Sequence, residues 1–326
     1  MDRILVTGGR GFLGSHVVRA LIDRGHDVRV LTHSGKDDVF GEQPGETFRG
    51  DVRDAAAVRD AVRGMHRAVH LVSNFRKGGS DEADAHDVNV QGTKNVLEAA
   101  YDEGLHRVVH CSTIGVHGDV KEIPATEDTP FNPQDLYQET KLEAEQWVWD
   151  FHRRTGLPIA VVRPISIYGP GDLRMLKLFR GIEKGWFPVA GKGEAFFHPA
   201  YIDDVVEGFL LCLEDPAAVG ESFIIGGEGY LTLNELFARI AELLGTSPPW
   251  LRIPLPLLQM AAVACETIFV PLGLEPPLHR RRVSFYRNQR AFSIQKAKDV
   301  LGFEPRTSLE EGLRRTITWY RENGYL

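Results

Sequence analysis

Short apolar runs alternate with amphipathic stretches along the first half of the chain. "RILVTG", "DVRVLT", "TFRGDVRD", "HRAVHLV", "HRVVHCS" and "LPIAVVRP" are apolar and rich in β-branched residues, and read as strands. Helical periodicity fills the gaps: "FLGSHVVRALIDRG", a segment from about Ala55, residues 84–103, and the stretch that carries Tyr137. Apolar strands that each lead into a helix predict a parallel sheet covered on both faces. Right-handed crossovers make such a sheet doubly wound. After Pro164 the rhythm breaks. "YGPGD" and "GKGEAFF" are turn clusters, "GESFIIGG" reads as one more core strand, and residues 228–290 read as helical and proline-broken. "SLEEGLRRTITWYREN" predicts a last amphipathic helix with Ser308 as N-cap and Glu311 at the capping-box position. The expected class is α/β: a large sheet domain at 1–168 and 196–227, and a smaller, mostly helical domain at 169–195 and 228–326.

The most apolar segment is 251–273, "LRIPLPLLQMAAVACETIFVPLG". Leu255, Leu258, Ala262, Cys265 and Phe269 form one helical stripe, interrupted by Gln259 and Glu266, and "HRRR" follows at 279–282. The expectation is a helix that covers an apolar pocket; the rival reading is a membrane-surface helix with a basic flank. No run of about 18 apolar residues is seen, so no membrane span is expected.

Composition narrows the class further. The chain has 326 residues, 43% of them hydrophobic, which allows ample core. Its net charge of −7 and lack of a basic stripe argue against a nucleic-acid partner. Cys111, Cys212 and Cys265 have no CxxC spacing and cannot all pair. They read as reduced, buried thiols of a cytoplasmic protein, with no metal site expected. "MDRILVTGGRGFLG" has no apolar core of signal-peptide length.

The chemistry begins in "TGGRGFLG". Gly8, Gly11 and Gly14 have GxxGxxG spacing between a strand and a helix. Gly8 and Gly11 allow a sharp turn and close approach of a pyrophosphate, and Gly14 allows close helix–strand packing. The helix N-terminus at Phe12 and Leu13 then faces the phosphates with unpaired N–H groups. This is the pattern of a dinucleotide-binding Rossmann domain, with 169–195 and 228–326 as a substrate-binding lid. An NAD site usually offers an acid at the end of the second strand. Here Thr32, His33 and Ser34 stand there, with Arg10 in the loop and Lys36 beyond. The missing carboxylate and nearby cations favour NADP over NAD.

With "GDVRD", "VHLVS", "DVNVQGTKNVLEAA", "STIGVHG", "YQETK", "VVRPISIYGPGD", "YIDDVVEGF" and "KAKDVLGFEPRTSLEEGL" added in this order, nearly the whole chain resembles the extended short-chain dehydrogenase/reductase family, also called the NAD-dependent epimerase/dehydratase family. The resemblance implies a catalytic set of Thr113, Tyr137 and Lys141, with Asn89 holding the active-site backbone, and Ser112 as fallback for Thr113. Lys141 lies one helical turn beyond Tyr137, where its charge favours the phenolate of a group whose usual pKa is near 10. The resemblance further implies that Lys141 bonds the nicotinamide ribose and that Asp51 and Val52 contact adenine. Leu71 and Val72, after His70, pass under the cofactor in the same reading, and Pro164 and Ile165 flank the nicotinamide. His198 in "FFHPAY" is read as structural.

Departures from the family pattern bear on the substrate. Dehydratases of the family carry Asp-Glu where this chain has Ile114-Gly115, and epimerases often carry an Arg where it has Phe196-Phe197-His198. The resemblance therefore leans to the 3β-hydroxysteroid dehydrogenase-like and dihydroflavonol-reductase-like branch. The expected activity is hydride transfer between nicotinamide and an alcohol or ketone of a bulky, largely apolar substrate; the alternative is a sugar-nucleotide epimerase with tightly held NAD. A homodimer through the 84–103 and 138–154 helices is usual for the family, with Trp147, Trp149 and Phe151 available as contacts.

Overall fold

A computed structural model describes residues 1–33, 45–74, 82–274 and 276–326. Seven parallel strands form the main sheet: β1 (Arg3–Thr7), β2 (Asp27–Thr32), β3 (Glu46–Arg49), β4 (Arg67–His70), β5 (Arg107–Cys111), β6 (Ile159–Pro164) and β7 (Ser222–Ile225). Their order across the sheet is β7-β6-β5-β4-β1-β2-β3. The chain runs outward from β1 to β3, then returns to β4 on the other side of β1. Thr7 is level with Leu31 on one side and with His70 on the other. The crevice past Thr7 and His70 is thus the switch point at which such sheets bind ligands.

The uniformly apolar strands serve two cores. Ile4, Val6, Val28, Val30, Val109 and Val162 face the helices Phe12–Asp23 and Ile202–Glu214, while Leu5, Leu31, Ala68, Val108 and Val161 face Ala55–Val62, Gly92–Asp102 and Leu136–Thr155. Alternate residues of one strand enter opposite cores, so both faces are largely apolar. Beyond Pro164 three short pairings stitch the chain: Ser166–Tyr168 with Pro199–Tyr201, Phe196–Phe197 with Leu231–Thr232, and Val189–Ala190 with Arg252–Ile253.

Several details depart from expectation. The 84–103 segment is not one regular helix: a π-helical turn, Asp87–Gln91, separates Glu82–His86 from Gly92–Asp102. Ser308 does cap the last helix by accepting from the Glu311 N–H at 3.2 Å. The Glu311 carboxylate, however, pairs with Arg314 and Arg315 rather than completing a capping box. The complete box is at Thr232 and Glu235. Of the three cysteines, all free, only Cys212 is fully buried.

The largest departure is the Leu255–Phe269 helix. Its Leu255, Leu258, Cys265 and Phe269 stripe is half-buried and only Ala262 is fully buried. Its other face is apolar too, yet exposed at Leu257, Met260, Val263 and Ile268. The helix is therefore not a buried cover. The stretch Leu255–Leu272 is also long and apolar enough to cross a membrane by length and composition, with a mean hydropathy of 1.7, which corrects the expectation that no such run exists.

Candidate active site

The glycine loop leaves β1 at the switch point. Gly8 has φ +73°, which a Cβ would strain, and a Cβ there would meet the Val72 nitrogen at 3.0 Å. At Gly14 a Cβ would collide with the Gly8 carbonyl, so the Phe12–Asp23 helix lies directly on the loop. Gly11 is the N-cap, provides no side-chain cap, and donates its N–H to the Gly8 carbonyl at 3.0 Å. No acidic residue stands in the first turn of that helix. A helix N-terminus without a side-chain cap, bare of carboxylates and reached over glycine, fits the diphosphate of a dinucleotide. Phe12 and Leu13 carry the first N–H groups. Leu71 and Val72 line the opposite wall, tied down by Leu71 N–H to the Thr7 carbonyl at 3.1 Å.

Along the adenosine side, Asp51 is held by Arg53, which depresses its carboxyl pKa through their hydrogen bonds. Val52 is buried beneath Gly92, and its carbonyl accepts from Asn95 Nδ2 at 2.8 Å. The Thr32 carbonyl accepts from Gly50 N–H at 3.0 Å, and His33 follows. Arg10 extends toward β3, with Nη2 3.4 Å from Thr47 Oγ1. Ser34 lies outside the described residues. Pro164 ends β6 and Ile165 follows it, both buried, with Ile165 N–H bonded to the Ile225 carbonyl at 3.0 Å.

The carboxyl end of β5 decides between two adjacent hydroxyls. Ser112 is buried and donates to Glu145 Oε2 at 2.5 Å, inside a network in which Arg163 Nε and Nη2 donate to Glu145 at 3.1 and 2.5 Å. It has no free hydroxyl to offer. Thr113 is half-buried, and its Oγ1 accepts from Gly115 N–H at 3.0 Å. That bond orients the side chain and leaves its own proton to donate elsewhere. The 3₁₀ turn Ile114–His117 that follows abuts Gln138: a Cβ on Gly115 would lie 3.1 Å from Gln138 Cγ. The Tyr137 helix, capped by Asp135, therefore starts against the Thr113 turn.

Lys141 is buried, and its Nζ donates to the Cys111 carbonyl at 2.5 Å. Burial lowers its pKa, opposed by Cys111 and Glu145. Two imidazoles share its surroundings. His70 Nδ1 bonds Thr7 Oγ1 at 2.7 Å, and Nε2 bonds Thr93 Oγ1 at 3.0 Å. Because Thr93 donates onward to the Asn89 carbonyl, His70 carries its proton on Nε2. Burial first, then the Lys141 charge, holds the His70 pKa down to about 3. His110 stacks 5.5 Å away, and neither of its ring nitrogens has a hydrogen-bond partner among the described residues.

Asn89 sits in the π-turn and joins two segments. Its Oδ1 accepts from Asn74 N–H at 2.7 Å and its Nδ2 donates to Thr140 Oγ1 at 2.9 Å. Thr140 in turn donates to the Tyr137 carbonyl at 3.1 Å. His198 is buried between the Gly227 carbonyl and the Phe292 N–H, a structural placement as expected.

One cation escaped the sequence reading. Arg174 binds Asp172 Oδ1 at 2.7 Å and the Ile167 carbonyl at 2.9 Å, and its guanidinium lies 5.2 Å from the centre of the Phe12 ring. It is also within electrostatic reach of Tyr137. Its signal was the Asp-x-Arg spacing after "YGPG", a pattern too short to single out without the fold. Two aromatics of the "FFH" stretch are engaged: Phe197 is 5.6 Å from Phe285, and Phe196 is 5.1 Å from Tyr230. Trp186 is largely exposed.

The chain is similar to known proteins over nearly its whole length. Residues 4–226 match the NAD dependent epimerase/dehydratase family. The chain is 30% identical to the 3 beta-hydroxysteroid dehydrogenase/Delta 5-->4-isomerase of Mycobacterium tuberculosis, over 98% of this chain and 90% of that protein. It is 31% identical to the 2-alkyl-3-oxoalkanoate reductase of Stenotrophomonas maltophilia, over 96% and 98%. Among solved structures, the UDP-glucose 4-epimerase of Thermotoga maritima with UDP-glucose superposes with a TM-score of 0.82, at 27% identity over 98% and 99% of the two chains.

Proposed function

The chain belongs to the NAD-dependent epimerase/dehydratase family and is an oxidoreductase of that family; from this premise we propose that it interconverts a secondary alcohol and a ketone on a bulky, largely apolar substrate. The observation that carries the reading is the placement of Thr113 at the end of β5, against the start of the helix that holds Tyr137 and Lys141. The bound nicotinamide supplies or removes the hydride. Tyr137 gives its phenolic proton to the ketone oxygen as it becomes an alkoxide, and takes it back in the oxidising direction. Thr113 donates a hydrogen bond to the same oxygen and orients it. Lys141, held by the Cys111 carbonyl, keeps further N–H groups for the cofactor ribose, and its charge favours the phenolate. Asn89 fixes the backbone around Tyr137 through Thr140. Gly8, Gly11, Phe12, Leu13 and Gly14 hold the diphosphate, Asp51 and Val52 the adenine, and Leu71, Val72, Pro164 and Ile165 the nicotinamide half.

We read the cofactor as NADP(H). No acid stands at Thr32 or His33, and Arg10 reaches across β2 toward β3. We read residues 169–195 and 228–326 as the substrate lid. The "FFH" stretch just after its first segment offers Phe196 and Phe197 where a diphosphate would need a cation. Two relatives support an apolar substrate by name, a steroid dehydrogenase and an alkyl-oxoalkanoate reductase.

A second reading, sugar-nucleotide epimerisation with tightly held NAD, is favoured by the likeness to the UDP-glucose epimerase and by Arg174, a cation close to Tyr137. Calorimetric titration of the cofactor-loaded protein decides between them. Binding of hydrophobic ketones, with none from UDP, dTDP or UDP-glucose, is the expected result. Micromolar binding of a nucleotide with no ketone bound overturns it.

A further inference from the structure

We propose that the Leu255–Phe269 helix and the turn after it form a docking surface for the face of an anionic lipid bilayer. The inference is independent of the substrate reading. The outer side of this helix exposes Leu257 (57%), Met260 (70%) and Ile268 (59%), and Leu272 (66%) continues the patch past its end. A helix whose unburied side is apolar lacks an apolar neighbour there.

The helix is placed to lie on a bilayer rather than to cross it. Its N-terminal end is tied to the body, because Arg252–Ile253 pairs with Val189–Ala190. Its C-terminal end folds back: the Arg280 N–H and guanidinium bind Glu266 at 2.8 and 2.6 Å, and the Arg280–Arg287 helix packs along it. Both ends therefore stay on the protein's side. Trp186 and Trp250 precede the two paired strands, which run parallel, so both stand at the start of the pairing that ties down the helix's N-terminal end, 60% and 77% exposed. Exposed Trp at the rim of an apolar surface suits the headgroup layer.

Charge selects the occupant. The protein carries −7 overall, yet residues 246–290 contain six arginines against two glutamates, and residues 276–290 contain no acid. A stretch of one sign favours an anionic lipid surface. A second copy docked through the same face would set this stretch against itself. The face also connects to the "FFH" stretch, since Phe285 of the packed helix meets Phe197.

The test is flotation of the full-length protein with vesicles of phosphatidylcholine alone and with about one-third phosphatidylglycerol. Binding to the anionic vesicles at least about tenfold stronger, weakened by salt, is expected. Met260→Glu with Ile268→Glu should abolish it while leaving cofactor affinity unchanged. Arg281→Ser with Arg282→Ser should remove the preference for anionic lipid. Failure of the wild-type protein to float with either vesicle overturns the proposal. So does binding that survives the double Glu variant, or a dimer in sedimentation equilibrium that this variant dissociates without any vesicle binding.

Discussion

Two adjacent hydroxyls on one strand end have opposite fates, and single substitutions should separate them. Tyr137→Phe removes only the phenolic proton, so turnover should fall by about 10²–10⁴-fold while cofactor affinity holds, read by steady-state kinetics beside cofactor-fluorescence titration. Thr113→Ala should lower kcat by about tenfold or more, and Thr113→Ser should restore most of it, because the hydroxyl alone is needed. Ser112→Ala should behave differently. It leaves Glu145 Oε2 short of a donor inside a buried network and should cost roughly 1–3 kcal/mol in urea unfolding with little change in turnover of the folded enzyme. Reversed kinetic effects at 112 and 113 would move the assignment by one residue. The Tyr137–Lys141 relation was legible in the sequence because it is local, one turn of one helix. The choice of Thr113 was only half legible: Glu145 and Arg163, which claim Ser112, come from other elements.

At the level of elements, β4 and β5 bring His70 and His110 together beneath Lys141, and this gives a pH signature. The His70 pKa is about 3 in the folded protein against an ordinary value near 6.5, so between those limits the unfolded chain binds more protons. Stability is therefore full above pH 6.5 and falls by about 1.4 kcal/mol per pH unit below it, until the folded His70 also protonates near pH 3. His110, lowered in the same direction by burial, adds to the slope. Because no described residue bonds either His110 nitrogen, His110→Leu should leave stability at pH 7.5 unchanged or higher and make the acid slope shallower. Urea midpoints at pH 7.5, 6 and 5 measure both effects; an unchanged slope would count against the buried neutral state. The π-turn at Asp87–Gln91 belongs to this scale as well. It aims Asn89 at Asn74 and Thr140, a placement that helical periodicity could not announce.

For the whole molecule, cofactor choice should appear as thermal stability. A dinucleotide that binds only the folded state adds about 2.7 kcal/mol at a hundredfold excess over Kd, which is about 4 °C for a chain of this size. NADPH should raise Tm more than NADH at equal concentration, and Arg10→Ala should shrink the difference. Equal shifts, or a larger one with NADH, would return the cofactor to NAD.

The sequence by itself determined the parallel sheet, the glycine loop and the Tyr137–Lys141 pair. Each is written in short-range terms: apolar runs of strand length, a GxxGxxG spacing, and two side chains one turn apart. Tertiary structure alone decided which hydroxyl stays free, where Arg174 points, and that the most apolar helix is largely uncovered. Those facts depend on what neighbouring elements place against a residue. Burial is a property of the packed assembly, and hydrophobicity along a chain states only that a residue would gain from cover, not that cover is provided.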